Sequence, residues 1–440
     1  MDIASPPDID PLERLAAAIR EREAVVAVVG LGYVGLPLLV EIHHAGFPVI
    51  GIDTDPSKIA DLRAGRSSIV DISASEVASL DRAVYAEDPK MLDGADIVVL
   101  CLPTPLADGA PDLSRVSAAA EAVAARLRPG MLVILESTTW PGTTEEFLRP
   151  ILESSGLIAG TDFALGYSPE RIDPGQSNHQ IQNTPKIVSG LTERCRDLAV
   201  SFYAPIVHSV AVTSSPREAE MAKLIENTYR QVNIALVNEL AVMAKDLGVD
   251  IWESLHAAAT KPFGYEAFWP GPGVGGHCIA IDPTYLSWRA GQQLGYRVGF
   301  IEHANEVNNR MPEYVATRVS EALNRSGKAV NGSRVLGIGV AFKPGVHDLR
   351  GSPAIAVLER LAAKGAQIAF HDPYVETLTI AGTPLASVAP DAATIGAFDA
   401  VVILTAHPQI DLRAIVGAAT LVFDARGATV GIDEPHVERL

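Results

Sequence analysis

The chain has 440 residues, enough for two or three domains rather than one. Hydrophobic residues make up 48% and charged residues 20%, a globular composition that excludes extensive disorder. A formal net charge of -18 argues against a nucleic-acid or membrane-surface partner, so a positive site for an anionic substrate must be local.

The three cysteines, Cys101, Cys195 and Cys278, show no paired spacing. Neither a disulfide framework nor a metal site is expected, and a reducing cytoplasm fits best. The start of the chain is acidic and carries proline, unlike a signal peptide. No apolar stretch reaches membrane-spanning length. The expectation is a soluble cytoplasmic protein.

Residues 11–23 predict a short amphipathic helix with Leu12, Leu15, Ala16 and Ile19 on one face. The β-branched run 24–29 leads directly into Gly30-Leu-Gly-Tyr-Val-Gly35 and an apolar helix from Leu36. A second strand then ends in Asp53. A lone GxGxxG is weak, but strand, glycine turn, helix, strand and terminal aspartate together are specific for a dinucleotide. Gly30 allows the tight turn, Gly32 lets backbone reach a pyrophosphate, and Gly35 lets helix and sheet pack closely. The helix N-terminus supplies donors and partial positive charge. A carboxylate at Asp53 suits a ribose diol and repels a 2′-phosphate, so NAD is expected over NADP.

Two further strands, 96–102 and 131–135, end in Pro103-Thr104-Pro105 and Glu136-Ser137-Thr138. Ligands of open α/β sheets lie beyond such strand ends, which puts Thr104 and Thr138 where the nicotinamide half belongs. Cys101 lies within its strand and reads as a core thiol; Cys195 reads as structural or surface. Residues 163–171 read as a strand entering a loop.

A helix is predicted from about Pro216 to Leu247. Glu220, Lys223, Asn227 and Arg230 share one of its faces at spacings of three or four. Such a stripe is usually solvated, but Asn227 and Asn233 stand among apolar residues, where polar groups need partners. The run Gly271-Pro-Gly-Val-Gly-Gly-His-Cys278 closes on a thiol, with Asp282 four residues later. Glycines there would let backbone approach a ligand closely, a setting for covalent chemistry at Cys278. A second α/β domain begins near 334, with strands expected at 334–340, 366–371, 399–405 and 420–424. Its first loop carries Lys343 and Arg350 but no GxGxxG, so it suits the other end of a nucleotide better than a second dinucleotide.

Taken together, Gly30–Gly35, Ser168-Pro-Glu-Arg171, Glu220–Asn227, Gly275-Gly-His-Cys278 with Asp282, and Phe342-Lys-Pro-Gly345 with Asp348 and Arg350 resemble the nucleotide-sugar 6-dehydrogenases of the UDP-glucose/GDP-mannose dehydrogenase family. The resemblance runs from Val25 to about Gly427. It implies an α/β fold of two Rossmann-like doubly wound domains joined by a long central helix and helical segment. The implied divisions are an NAD domain at 1–212, a central dimerisation domain at 213–330 and a UDP-sugar domain at 331–440. It also implies NAD as cofactor, a UDP-sugar as substrate and a homodimer or higher homo-oligomer.

The implied activity is a four-electron oxidation of a sugar C6 alcohol to a carboxylate with two NAD. Cys278 matches the nucleophile, Lys223 and Asn227 the groups that hold the oxygen, and Asp282 an assisting carboxylate. Glu170 and Thr138 match residues that handle water. Cofactor contacts are expected at Gly30, Gly32, Tyr33, Val34, Gly35, Asp53, Lys58, Pro103, Thr104, Thr138 and Arg350. Substrate contacts are expected at Glu170, Arg171, Lys223, Asn227, Arg230, Phe268, Gly275 and Lys343. Whether Lys223 is a base or an electrostatic group stays open at this level.

The sugar is indicated by departures around the cysteine. His277 and Ile281 stand where the UDP-glucose and GDP-mannose branches usually have serine and lysine, as in the branch acting on UDP-N-acetylhexosamines. Ser168–Gly175 and Thr284–Trp288 resemble the N-acetylglucosamine type, and Ala280 the N-acetylmannosamine type. UDP-N-acetyl-D-glucosamine is therefore favoured, with UDP-N-acetyl-D-mannosamine and then UDP-glucose as alternatives. Two other classes compete. A two-electron hydroxyacid-type dehydrogenase needs neither Cys278 nor residues 334–427, and a silent nucleotide-binding regulator would not need the full set Lys223, Asn227, Cys278 and Asp282.

Overall fold

The computed structural model describes residues 10–67, 69, 72–172, 180–276 and 278–440. His277, and residues 173–175 of the Ser168–Gly175 motif, lie outside the described residues. Two compact units divide the chain, Met1–Ile225 and Glu226–Leu440.

The first unit is built on eight strands. In chain order these are β1 (Val26–Val29), β2 (Val49–Ile52), β3 (Val84–Ala86) and β4 (Ile97–Leu100). After a short hairpin of β5 (Leu106–Ala107) and β6 (Ala110–Pro111) come β7 (Leu132–Leu135), β8 (Ala164–Tyr167), β9 (Lys186–Gly190) and β10 (Val210–Val212). The sheet order is β10-β9-β8-β7-β4-β1-β2-β3. β8 through β3 run parallel, whereas β9 is antiparallel to β8. Chain order reverses between β1 and β4, which makes the crevice beyond their carboxyl ends the switch point where open α/β sheets take ligands.

The strands read as continuous apolar runs because both sheet faces are covered. Val26, Val28, Ile97, Val99, Leu132 and Ile134 enter one buried cluster, while Ala27, Val98, Leu100, Val133 and Leu135 enter the opposite one. Each of these Val, Ile and Leu side chains contributes about 1.5–3 kcal/mol by burial. The hairpin turns at Asp108 and Gly109, both with positive φ, as a two-residue Asp-Gly loop requires.

The Pro216–Asp246 helix spans 31 residues without an internal proline or glycine. In the second unit, helices Ile251–Ala259, Cys278–Leu294 and Gly299–Arg325 precede a smaller sheet. Its strands are β11 (Arg334–Ile338), β12 (Gln367–His371), β15 (Ala400–Ile403), β16 (Val422–Asp424) and β17 (Val437–Arg439), all parallel in the order β12-β11-β15-β16-β17. A hairpin of β13 (Thr377–Ile380) and β14 (Thr383–Ala386) stands apart from it. Both units are thus Rossmann-like and doubly wound, as expected. The β13–β14 hairpin and β17, and in the first unit β3, the β5–β6 hairpin, β9 and β10, are additions to the strands expected from sequence. No helix of the described residues is long and apolar enough to cross a membrane.

Candidate active site

At the carboxyl end of β1 the three motif glycines have separate reasons. Gly30 adopts φ +95°, and a Cβ there would lie 2.3 Å from the Cys101 carbonyl oxygen. A Cβ on Gly35 would lie 1.8 Å from the Gly30 oxygen. Gly32 instead faces open space, with nothing within 4 Å of its Cβ position. No side chain caps the following Gly35–His44 helix at Val34, and the partial positive charge of its N-terminus favours an anion there. A dinucleotide pyrophosphate fits this cradle, which an alanine at Gly32 would begin to fill.

Asp53 is buried beside the turn. Its carboxylate accepts from Leu31 N at 2.8 Å, from Asp55 N at 3.0 Å and from Lys58 Nζ at 2.6 Å. The residue expected to read a ribose therefore also ties the glycine turn to β2, with Lys58 on the same carboxylate. Beyond β4 and β7, buried Thr104 donates its hydroxyl to the Thr138 carbonyl at 2.8 Å. Ser137 Oγ accepts from Leu102 N at 2.9 Å. Pro103 is exposed at this rim and Thr138 half-buried.

Beyond β7 and β8 the same unit holds charged groups that are almost wholly buried: Glu136, Lys186 and Lys223. Lys186 Nζ is 2.8 Å from Glu136 Oε1, which also accepts from Tyr203 OH at 2.6 Å. Glu170 follows β8, and its carboxylate accepts from Ile172 N. Burial pushes Glu170 above the usual carboxylate range, against the pull of Lys223, the Ile172 N–H and Lys186. Arg171 donates to the Pro185 carbonyl at 2.5 Å, bracing the segment before β9.

Glu220 lies on the Pro216–Asp246 helix but is committed to structure. Its carboxylate accepts from Gly142 N, Thr144 N and Thr144 Oγ1 at 2.5–2.8 Å. It therefore holds the start of the Thr144–Leu148 helical segment, so this member of the polar face has a structural partner. Burial raises it to about 7. Arg230, on the same helix, is exposed.

In the second unit, Asn227 and Asp282 meet directly. Asn227 Nδ2 donates to Asp282 Oδ2 at 2.6 Å, and Asp282 is 2% exposed. Cys278 is the first residue of the Cys278–Leu294 helix and is exposed. It sits one turn before Asp282, where orphan N–H groups favour developing negative charge. Cys101 and Cys195 are both buried, and burial pushes the Cys101 thiol well up.

Packing within the unit requires glycine at several positions of the run. A Cβ on Gly275 would fall 2.7 Å from Pro353 Cδ and 2.9 Å from Phe342 Cβ. One on Gly276, at φ +80°, would meet the Phe342 ring at 2.8 Å, and one on Gly271 would meet Arg426 Nη1 at 2.6 Å. Gly276 N also donates to the Arg350 carbonyl at 2.9 Å.

Asn233 corrects an expectation: it is half-buried and its amide returns to the Tyr229 carbonyl of its own helix at 2.7 Å. The buried asparagine of that helix is Asn238. It accepts from Gly271 N and donates to Asn308 Oδ1, each at 2.9 Å, so it fixes the start of the glycine run. Asn238 carried no motif and was missed.

The loop after β11 holds the other expected substrate residues. Lys343 Nζ lies 5.8 Å from the Phe342 ring centre, and the Arg350 guanidinium grips Asp348 at 2.6–3.0 Å. The loop is anchored by His407, whose Nδ1 accepts from Gly345 N at 3.2 Å while Nε2 faces Asp372 Oδ2 at 3.0 Å. Phe268 packs edge-on to Tyr229 at 5.8 Å. Arg426, absent from the sequence reading, donates to the Leu404 carbonyl at 2.8 Å, and burial lowers it to about 10.

Comparison with known proteins places this geometry. Residues 24–207 match the NAD binding domain of the UDP-glucose/GDP-mannose dehydrogenase family, 217–310 its central domain and 336–430 its UDP binding domain. The chain is 37% identical to a UDP-N-acetyl-D-glucosamine 6-dehydrogenase of Pseudomonas aeruginosa, over 88% of this chain and 92% of that one. It is 35% identical to a UDP-N-acetyl-D-mannosamine dehydrogenase of Pyrococcus horikoshii, over 87% and 90%. A solved structure of a UDP-D-ManNAc dehydrogenase from Pyrococcus horikoshii superposes with a TM-score of 0.84 at 32% identity, covering 94% of this chain and 98% of that one. The chain therefore belongs to the UDP-glucose/GDP-mannose dehydrogenase family and is an NAD-dependent nucleotide-sugar dehydrogenase.

Proposed function

We propose that the protein oxidises the C6 alcohol of UDP-N-acetyl-D-glucosamine to the carboxylate, through a thiohemiacetal and a thioester on Cys278, for surface polysaccharide synthesis. The observation that carries the chemistry is the Asn227–Asp282 hydrogen bond at 2.6 Å, one helical turn from an exposed cysteine at a helix start. NAD, held by the Gly30–Gly35 turn, Asp53, Lys58, Pro103, Thr104, Thr138 and Arg350, supplies the hydride acceptor, once for each two-electron step.

The residues divide the remaining work. Lys223 and Asn227 stabilise the oxygen that becomes alkoxide and then oxyanion. Asp282 orients the Asn227 amide and assists proton transfer. Cys278 captures the aldehyde, which keeps it from escaping and prepares it for the second oxidation. Glu170 and Thr138 direct the water that hydrolyses the thioester, and burial, by raising Glu170, makes its carboxylate a stronger base toward that water. Arg171, Arg230, Phe268, Gly275 and Lys343 contact the UDP-sugar.

The N-acetylglucosamine assignment rests on the Ser168–Gly175 and Thr284–Trp288 resemblances. Ala280 favours UDP-N-acetyl-D-mannosamine as the second reading. Exposed Ile225, Tyr229, Leu236 and Met243 on the Pro216–Asp246 helix support a homodimer built on the 213–330 segment. An accessible reactive thiol suits the reducing cytoplasm. Comparing kcat/KM for UDP-N-acetylglucosamine, UDP-N-acetylmannosamine and UDP-glucose tests the sugar. The first should lead by tenfold or more, and a lead by either of the others rejects the assignment.

A further inference from the structure

The buried Lys186–Glu136 pair has no part in the chemistry above, and its stability alone does not explain it. Two apolar residues of similar size would serve the fold as well or better, because burying charges costs more than their attraction usually returns. Its place in the sheet is specific. β9 runs antiparallel to β8 with Tyr167 opposite Ser189, so Lys186, the first residue of β9, lies at the end of the pair where the chain leaves β8 toward Glu170. Lys186 Nζ also donates to the carbonyl of Pro169, the residue just before Glu170, at 3.2 Å. Ser168 Oγ donates to the Ile187 carbonyl at 2.7 Å and Ser189 Oγ to the Tyr167 carbonyl at 2.9 Å, so the two strand ends are stitched by side chains. Tyr203 closes the arrangement, with its hydroxyl on Glu136 and Lys186 Nζ 5.2 Å from its ring centre. Glu136 itself stands two residues before Thr138.

We propose that Lys186 is a positioning residue for Glu170: through the Pro169 carbonyl and its pair with Glu136, it fixes the turn that presents the Glu170 carboxyl group. The proposal rests on the reading of Glu170 as a water-handling group. Lys186 and Lys223 both pull Glu170 toward its charged form, as does the Ile172 N–H, while burial and Glu136 oppose them. Arg171 is turned to the Pro185 carbonyl, and the nearby Cys101 thiol is kept neutral by burial. The Lys186–Glu136 pair thus adds almost no net charge beside Glu170 while supplying a rigid cationic donor to its turn. Sequence alone does not link the two, since Glu136 follows β7 and Lys186 opens β9, 50 residues apart.

The test uses the full-length enzyme and the UDP-sugar it oxidises best, with kcat, both KM values and the pH profile of kcat measured for Lys186→Gln, Lys186→Arg, Glu136→Gln/Lys186→Gln and Glu170→Gln. The expected result is a kcat at least tenfold lower in Lys186→Gln, with both KM values within threefold of wild type. Its acid limb should move to higher pH, because one cation that favours ionised Glu170 is gone. Lys186→Arg should recover at least a third of kcat. The double variant, which leaves no unpaired buried charge and so keeps the test open should Lys186→Gln fail to fold, should stay slow while its acid limb returns toward wild type. A folded Lys186→Gln or double variant with kcat within twofold of wild type overturns the proposal, as does Lys186→Arg no faster than the double variant. If Glu170→Gln keeps wild-type kcat, the reading of Glu170 fails instead.

Discussion

Asn227 Nδ2 donates to Asp282 Oδ2 at 2.6 Å, so an amide on one helix is oriented by a buried carboxylate on another. The bond uses one amide hydrogen and fixes the direction of the second. Asn227→Ala should lower kcat about 100-fold, the usual cost of one oxyanion donor, with a smaller change in KM. Asp282→Asn should lower it by about 100-fold or more through lost proton transfer and loss of the fixed amide orientation. Steady-state kinetics on both variants, with unchanged Tm, checks this. A variant with wild-type kcat removes that residue from the chemistry.

The glycine turn predicts two different failures. Gly35→Ala places a methyl 1.8 Å from the Gly30 carbonyl and should destabilise the protein by about 3 kcal/mol or more. Gly32→Ala meets nothing and should fold with normal Tm, yet lose NAD affinity tenfold or more. Thermal denaturation together with NAD titration separates the two.

Asp53 tests cofactor choice. Asp53→Ala removes the ribose acceptor and leaves Lys58 without the carboxylate it now pairs with at 2.6 Å. The ratio of kcat/KM for NAD over NADP should fall at least tenfold. A variant that keeps the wild-type preference contradicts the assignment.

Glu220 gives a pH dependence of stability. Burial raises its folded-state value from 4.5 to about 7, so the native chain binds this proton more tightly than the unfolded chain does. The stabilisation is complete below about 4.5 and is lost as pH rises through about 7. Glu220→Gln cannot ionise, so it should remove about 2 kcal/mol of the fall in unfolding free energy between pH 5 and 8. Denaturant unfolding at several pH values measures it; an unchanged slope contradicts the raised value.

What the sequence revealed depended on whether a residue's reason was local. Gly30, Gly35 and Asp53 act within one strand-turn-helix-strand unit, and their spacing alone predicted the turn that the structure contains. Cys278 and Asp282 were visible because a thiol after a glycine run is unusual. The packing reason for the glycines of that run was not legible, since Phe342, Pro353 and Arg426, which require them, come from segments 66–155 residues away. Asn238, Lys186 and Glu136 were illegible for the same physical cause. Each acts through a partner brought close only by the sheet or by helix packing, and none differs by composition from an ordinary polar residue.

The central claim is that Cys278 holds the sugar through two oxidations. NADH formed per mole of UDP-sugar consumed, in wild type and in Cys278→Ser, tests it most directly. Two NADH per sugar in wild type, and no more than one in Cys278→Ser with NAD binding intact, is the predicted result. One NADH per sugar in wild type, or two in Cys278→Ser at full rate, would contradict it.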